Sequence, residues 1–199
     1  MAKRRPSKPY RGKKSGYRSK GGGGGGSALK LRKLDGDRGW ALVPPPSAEE
    51  MSDDIAEVHE MLEHGELEIA TDELRFLLST CPELLEAHVL LGQIALETDE
   101  TKPADIELAR GHFGYAFQLG EKALTAASCP GPLLGAEPSN AAWHEAARGL
   151  AWCLEKQGRR AMADQVAATV RKFDPSDPAQ VAAMLDDLRA GGLPIVELG

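Results

Sequence analysis

The chain has 199 residues, with 24 Lys and Arg against 30 Asp and Glu, and its formal net charge of −6 conceals two unlike parts. Residues 1–46 carry 13 basic and 2 acidic residues, whereas residues 47–199 carry 11 basic and 28 acidic residues. Six consecutive glycines occupy 21–26, and the segment before them is too polar to bury a core. The composition therefore excludes one uniform domain. It predicts a disordered basic tail over 1–46, rich in Gly and Pro, ahead of a helical domain.

The cysteines and the apolar patterning indicate the compartment. Cys81, Cys129 and Cys153 are far apart and odd in number, and none belongs to a CxxC pair, which argues against a disulfide framework or a zinc site. No apolar run of signal-peptide length follows the basic N-terminus, and nowhere do 18 apolar residues run together. We therefore expect a cytoplasmic protein without a membrane segment.

Two short features precede the helical part of the chain. Residues 27–34 have leucines loosely on one side and predict one or two turns of helix, too short to persist alone. Trp40 stands shortly before three consecutive prolines at 44–46, which predict an extended segment. Trp40 either packs on the first helix of the domain or forms part of a short docking motif, and the sequence leaves both interpretations open.

The pattern becomes helical from Ser47. Ser47 followed three residues later by Glu50 is a capping-box signature, and the apolar spacing behind it predicts a helix that ends at Gly65. Glycines, prolines and apolar periodicity predict further helices over 66–80, 84–96, 105–127, 140–157, 159–173 and 178–189. Nearly the whole of 47–190 is therefore predicted to be helical.

Two of the predicted hairpins share fixed offsets. An alanine lies five residues after Gly65 and after Gly158, and a proline lies seventeen residues after each glycine. These residues are Ala70 and Pro82 in the first unit and Ala163 and Pro175 in the third. A glycine permits a tight turn, an alanine permits close helix approach, and a proline ends a helix. The repetition indicates one structural unit used more than once.

Together with Leu91-Gly92 and Leu150-Ala151, these positions resemble the tetratricopeptide repeat, a 34-residue helix-turn-helix unit. The resemblance implies an all-α fold: an α-solenoid of about three hairpins and a C-terminal capping helix over 47–190, with a C-terminal extension at 191–199. The middle unit fits more loosely, because it has extra residues in the turn 99–104 and in the loop 129–140.

A catalytic function would need an activated nucleophile, an acid–base pair or a metal cluster. His144-Glu145 begins like the HExxH motif of zinc proteases, but Arg148 stands where the second histidine belongs. His59 and Glu63 lie one helical turn apart, which is typical of a surface ion pair rather than of a shared metal. We therefore expect no catalytic residue, no metal and no cofactor.

The resemblance implies a non-catalytic protein-interaction module, a scaffold that binds a peptide or partner helix in a groove lined by the first helix of each hairpin. The groove positions that it implies are His59, Glu63, Val89, Gln93, Glu97, Arg148, Trp152 and Lys156. Family members that clamp the C-terminal carboxylate of chaperone tails use Lys, Asn and Arg, and the matching positions here are Ile55, His59, Leu90, Glu145 and Gly149. No chaperone-tail partner is therefore expected.

The charges at these positions predict a basic or amphipathic partner, with Trp152 as its apolar anchor. Five glutamates occupy the implied inward positions, against Arg148 and Lys156. An excess of acid also keeps a helical protein soluble, and this second explanation is of equal weight.

Nine cations and no acid lie in residues 1–20, interleaved with Tyr10 and Tyr17: they are Lys3, Arg4, Arg5, Lys8, Arg11, Lys13, Lys14, Arg18 and Lys20. This composition binds phosphate backbones without reading their sequence. The alternative function is therefore a nucleic-acid- or ribosome-associated protein that contacts RNA or DNA non-specifically through its tail. A competing interpretation is that the tail folds back onto its own acidic domain, and the two outcomes can coexist.

Overall fold

A computed structural model describes residues 29–98 and 103–191, which form a two-stranded hairpin and eight helices. The strands are β1 Lys30–Lys33 and β2 Trp40–Val43. The helices are α1 Pro46–Glu49, α2 Ser52–Glu63, α3 Leu67–Thr80, α4 Leu85–Leu96, α5 Ile106–Ala126, α6 Pro138–Lys156, α7 Arg160–Phe173 and α8 Val181–Ala190. The nine predicted tail cations and most of the C-terminal extension lie outside the described residues. The fold is predominantly helical, as predicted.

The hairpin corrects the predicted tail of 1–46 over its described part, 29–46, and the predicted helical turn of 27–34 over 29–34. β1 and β2 pair in antiparallel register from Lys30 opposite Val43 to Lys33 opposite Trp40, and a 3-10 turn at Asp35–Asp37 connects them. Leu42 is 1% exposed in the core. Strand pairing satisfies alternate backbone groups, and the N–H groups of Trp40 and Leu42 find partners outside the hairpin, so pairing and burial override the weak local helical pattern.

Trp40 packs on a different element from the predicted first helix. Its backbone N–H donates to the Pro132 carbonyl at 2.8 Å, and Trp40 forms a bridge with Leu133 in the loop before α6. β2 as a whole contacts α6. The hairpin is therefore fastened to the C-terminal half of the fold, although it directly precedes the N-terminal helices in the chain.

The predicted capping box at Ser47 is wrong. α1 begins one residue earlier, at Pro46, whose fixed φ suits the first helical position. The Ser47 hydroxyl donates to the Cys81 sulfur at 3.4 Å, and the Glu50 N–H bonds to the Pro46 carbonyl at 3.1 Å. The helix then breaks at Met51 and restarts as α2, so one predicted helix is two.

The two units with shared offsets have the same turn geometry. Gly65 and Gly158 have φ of +74° and +72°, a conformation that favours glycine. In each unit the next residue donates its N–H to the carbonyl five residues back, at 2.9 and 2.8 Å, which closes the helix end. Ala70 and Ala163 are both 0% exposed, as close helix packing requires. The predicted local roles of these glycines and alanines are confirmed.

The helices pack in chain order. Each helix from α2 to α7 contacts the next one, and α6 also contacts α4 and α8. One buried cluster joins α1 to α4, and a second joins α4 to α8 together with β2 and the loop before α6. α4 belongs to both clusters, and nine of its twelve residues are buried. This central helix holds the two halves of the described structure together.

The loop between α5 and α6 is not a plain surface insertion. Leu133 is 0% exposed, and its N–H donates to the Phe173 carbonyl at the end of α7, at 2.7 Å. The loop therefore contributes to the core and bridges the hairpin and α7. Part of the other predicted insertion, 99–102, lies outside the described residues.

Within 29–98 and 103–191, no helix has the length and apolar character needed to cross a bilayer.

Candidate peptide-binding clefts

The helices α4, α5, α6 and α8 enclose an open cleft of about 560 Å³, called here the α8 cleft. Three of the predicted groove residues line it: Gln93, Arg148 and Trp152. α8 supplies the opposite wall, where its apolar residues Met184 and Leu188 recur at helical spacing. The lining thus combines apolar side chains with polar and charged ones, as ligand-binding pockets usually do.

Trp152 lies partly exposed in the wall of the α8 cleft, and Lys156 lies over its ring. The Lys156 ammonium is 5.4 Å from the ring centroid, one helical turn further along α6. This cation–π contact holds the indole on the α6 surface. A large aromatic side chain that is fixed in place and still accessible is a good binding anchor, because little side-chain entropy remains to be lost.

Glu145 is one of two acidic residues that line the α8 cleft. Partial burial raises the pKa of the Glu145 carboxyl above its ordinary value, the Glu86 carboxylate raises it further, and His59 opposes both effects. The ionised form of Glu145 therefore lacks full compensation in the unliganded protein. A Lys or Arg side chain of a partner would supply it.

His59 lies in a second cleft, of about 500 Å³, called here the hairpin cleft. Its walls come from the hairpin, α1, α2, α4 and α6. His59 Nε2 lies 2.9 Å from Glu86 Oε1, so the predicted ion pair with Glu63 is replaced by a contact between α2 and α4. The structure therefore separates the predicted groove residues among different clefts rather than placing them in one continuous row.

The other predicted groove residues have different positions. Val89 is 2% exposed and belongs to the core, so its assignment to the groove is wrong. Glu97 lines a third, smaller cleft of about 410 Å³ with Gln93 and Leu62. Glu63 is exposed near the end of α2. α4 is buried on nearly all sides, which explains the error, since the family pattern assumes that the first helix of a unit has a free face.

Glu155, another predicted inward position, does not contribute to the acidic surface. Its side chain is 7% exposed and accepts hydrogen bonds from Arg189 at 2.8 and 3.2 Å and from Arg160 at 3.1 Å. The hydrogen bond from Arg189 and the charges of both arginines lower the pKa of the Glu155 carboxyl. This glutamate fastens α8 to α6 and contributes little to the charge that a ligand would meet.

His144 and Cys153 are buried in the core. His144 is 3% exposed, its Nε2 donates to the Leu133 carbonyl at 3.1 Å, and burial lowers the pKa of its imidazole. Cys153 is 0% exposed, and burial raises the pKa of its thiol to about 11, so it is protonated at neutral pH. The three cysteines are free thiols. The described residues contain no group of three or more His, Cys, Asp or Glu side chains that could hold a metal ion.

Sequence reasoning missed the contribution of α8 to a cleft and that of Asn140 to the hairpin. The spacing of Val181, Met184, Leu185 and Leu188 predicts an amphipathic helix, but it does not tell which of these apolar residues stay accessible. Asn140 is 0% exposed and bonds to the backbone of β2, nearly 100 residues earlier in the chain. No local pattern signals a contact of that range.

No protein-family model matches the chain, and no curated protein or solved structure is significantly similar to it.

Proposed function

We propose that this chain is a non-catalytic protein-interaction module built on tetratricopeptide-like helical hairpins in a short solenoid. The observation that supports this best is the α8 cleft, in which Trp152 is fixed, accessible and flanked by apolar residues from two helices. An accessible aromatic anchor beside charged and amide side chains is the usual composition of a protein-binding hot spot. The identical turn geometry at Gly65 and Gly158 supports the repeat assignment.

The preferred ligand is an amphipathic helix or extended peptide that carries a Lys or Arg next to an apolar side chain. The apolar side chain would pack between Trp152 and Met184. The cation would lie near Glu145 and Asp187, which both line the cleft. The Arg148 guanidinium donates to the carbonyl of Ala179, just before α8, at 3.3 Å, so it competes less with a bound cation for these carboxylates.

The test compares partners captured from native extract by the full chain and by two variants. We expect Trp152→Ala to weaken capture of the specific partner by about 30-fold or more, as loss of a hot-spot aromatic does. Glu145→Lys leaves the apolar wall intact and should weaken a basic partner by charge repulsion. Phe76→Ala is the matched control, since Phe76 is 64% exposed and lines none of the clefts described above.

Thermal melts of each variant would establish that it is folded. If wild type, Trp152→Ala and Glu145→Lys captured the same partners in the same amounts, the proposal would be wrong. Loss of partners in the Phe76→Ala control as well would also contradict it, because binding would then not depend on the α8 cleft.

A second candidate function rests on the charge of residues 1–20, which carry nine cations and no acid. This segment would bind RNA or DNA through phosphate contacts, as in a nucleic-acid- or ribosome-associated protein. If all nine cations engaged single-stranded RNA, the logarithm of the affinity would fall with the logarithm of salt at a slope of about −6. A flat salt dependence would exclude this function.

A further inference from the structure

The hairpin cleft has an apolar interior and an acidic rim. Leu42, Ile55 and Leu84 belong to its wall, together with alanines and prolines from α1, α2, α6 and the segment before α1. Its polar rim carries Glu49, Glu83 and Glu86, whereas its lining, all within the described residues, includes no lysine or arginine. His59, beside Glu86, is the only basic side chain in that lining. The cleft therefore suits a segment that combines cations with apolar or aromatic side chains.

The described chain begins inside this cleft. Leu29, the first described residue, lines it, and 28 residues of the chain precede Leu29. Lys20 is nine residues before Leu29, so covalent geometry keeps the two Cα atoms within about 30 Å of each other. The most basic part of the sequence is therefore tethered to the mouth of an acidic cleft. A tether of this length corresponds to an effective concentration of about 1 mM.

The composition of residues 1–20 matches the cleft. Nine Lys and Arg residues provide charge opposite to that of the rim, and Tyr10 and Tyr17 provide aromatic rings for the apolar interior. The body of the protein offers further acid nearby, since Glu86 is close enough to Glu145 to affect its ionisation. Charge complementarity, covalent reach and the point where the described chain begins all select the same occupant.

We infer that the hairpin cleft is the docking site of the chain's own N-terminal segment, residues 1–20, bound in cis. The inference goes beyond the proposed function, because both the cleft and its occupant differ from those of the α8 cleft. Docking in cis makes the tail unavailable to polyanions. Conversely, a polyanion that binds the tail displaces it from the cleft. The tail and the acidic body thus form an autoinhibitory pair, in which RNA and the cleft compete for the same cations.

The first experiment maps the contact in the full chain. A carbodiimide joins lysine amines to carboxylates without a spacer, and mass spectrometry identifies the joined peptides. We expect cross-links mainly between the tail lysines and the rim carboxylates of Glu49, Glu83 and Glu86. In an equal mixture of nitrogen-15-labelled and unlabelled protein, the two peptides of each cross-link should carry the same isotope, because they come from one molecule. Cross-links spread evenly over the acidic surface, or formed mainly between two molecules, would overturn the inference.

The second experiment measures release of the tail as affinity for a fluorescein-labelled poly(U) oligonucleotide. The triple variant Glu49→Gln, Glu83→Gln and Glu86→Gln should bind poly(U) about tenfold more tightly than its control, because three weak charge pairs no longer hold the tail. The control variant Glu68→Gln, Glu121→Gln and Asp186→Asn has the same net charge but lines no part of the hairpin cleft. Equal affinities of the two variants would contradict the inference.

The two proposals fail separately. Substitution of the hairpin-cleft rim should leave capture of a partner by the α8 cleft unchanged, and Trp152→Ala should leave poly(U) affinity unchanged.

Ionic strength tests the role of charge in the cross-linking experiment. Raising it to about 0.5 M shortens the screening length to roughly 4 Å and should abolish the specific cross-links in the wild type. Cross-links that persist at this ionic strength would show that charge complementarity does not select the tail.

Discussion

The indole of Trp143 lies against the backbone of Gly120, in the space that a methyl group on that glycine would need. Trp143 is 0% exposed, stacks on Phe117 with ring centroids 5.4 Å apart, and donates its Nε1–H to the Phe117 carbonyl at 3.1 Å. The ring cannot withdraw without losing these contacts. We expect Gly120→Ala to lower the free energy of unfolding by about 2 kcal/mol, since overpacking outweighs the gain in helix propensity.

Gly111 provides the matched control on the same helix. A Cβ at Gly111 would have no neighbour within 4 Å, so Gly111→Ala gains helix propensity without a clash. We expect this variant to be more stable than wild type by about 0.5–1 kcal/mol. Urea denaturation of both variants tests the pair. Effects of the same sign at the two positions would show that the close approach of α5 and α6 at Trp143 does not constrain the fold.

Asn140 is the polar residue that fastens the hairpin to α6. Its Oδ1 accepts from the Leu42 N–H at 2.8 Å, and its Nδ2 donates to the carbonyls of Trp40 and Leu134 at 2.9 and 2.8 Å. Asn140→Ala leaves these buried backbone groups without partners. We expect the free energy of unfolding to fall by about 2–4 kcal/mol, with faster amide hydrogen exchange at Leu42.

Ser139→Ala is the comparison for Asn140→Ala. The Ser139 hydroxyl donates to Glu137 at 3.4 Å, a long and partly exposed hydrogen bond. Its removal should change the free energy of unfolding by less than about 0.5 kcal/mol. If the Leu42 amide exchanged equally fast in the two variants, Asn140 would not be what holds the hairpin.

His88 makes stability depend on pH. It is 9% exposed, its Nε2 lies 3.1 Å from the Pro82 carbonyl, and its Nδ1 lies 3.3 Å from His112 Nδ1. Because a carbonyl only accepts, Nε2 carries the proton, and Nδ1 accepts from His112. Burial lowers the pKa of His88 from 6.5 to about 4; the Pro82 hydrogen bond opposes this shift, and His112 adds to it.

Between pH 6.5 and 4 the unfolded chain therefore binds a proton that folded His88 does not bind. The stability that neutral His88 provides is complete above pH 6.5 and is lost as the pH falls toward 4. Lowering the pH from 8 to 4 should therefore reduce the free energy of unfolding of the wild type by about 3 kcal/mol more than that of His88→Gln. Denaturant titrations at several pH values measure this difference.

His64→Gln is the control for the histidine experiment, because His64 is exposed at the end of α2. This variant should follow the pH dependence of the wild type. A His88→Gln variant that loses stability in parallel with wild type throughout the range would show that protonation of His88 is not what acid couples to unfolding.

The helical part of the fold was largely predictable from sequence. Gly65 and Gly158 end helices because their backbone conformation favours glycine, and Pro82 and Pro175 stop the helices before them, so local chemistry fixes these boundaries. Competing local signals produced the error at Ser47, where Pro46 supplies the helix start. Helix boundaries can therefore be predicted from the local sequence where a single glycine or proline determines the backbone conformation.

The hairpin and the clefts were less predictable because they depend on distant partners. β1 has little apolar pattern of its own, and Asn140 and the loop at Leu133 fix β2 from about 90–100 residues away. Val89 has the spacing of a groove residue, but α4 is covered on both sides. The apolar spacing of the sequence predicts the helix, whereas the accessibility of Val89 depends on which helices pack around α4.

Arg189 joins α8 to two other helices and so holds the second wall of the α8 cleft in place. Its Nη2 lies 2.8 Å from a Glu155 oxygen on α6 and 2.9 Å from an Asp164 oxygen on α7. Arg189→Ala removes both ion pairs and leaves Glu155, 7% exposed, with Arg160 alone. We expect amide exchange over 185–190 to rise about tenfold, because charge-assisted hydrogen bonds no longer hold the end of α8.

Arg160→Ala separates this effect from a general loss of charge. Arg160 also contacts Glu155, at 3.1 Å, but its side chain is 71% exposed and this ion pair joins α7 to α6 rather than to α8. Its loss should leave exchange in α8 near the wild-type rate and binding at Trp152 intact, whereas Arg189→Ala should raise the exchange rate and weaken binding. If the two arginine variants changed α8 exchange equally, the wall of the cleft would be held by its apolar contacts, through Val181 and Leu185, rather than by the ion pairs.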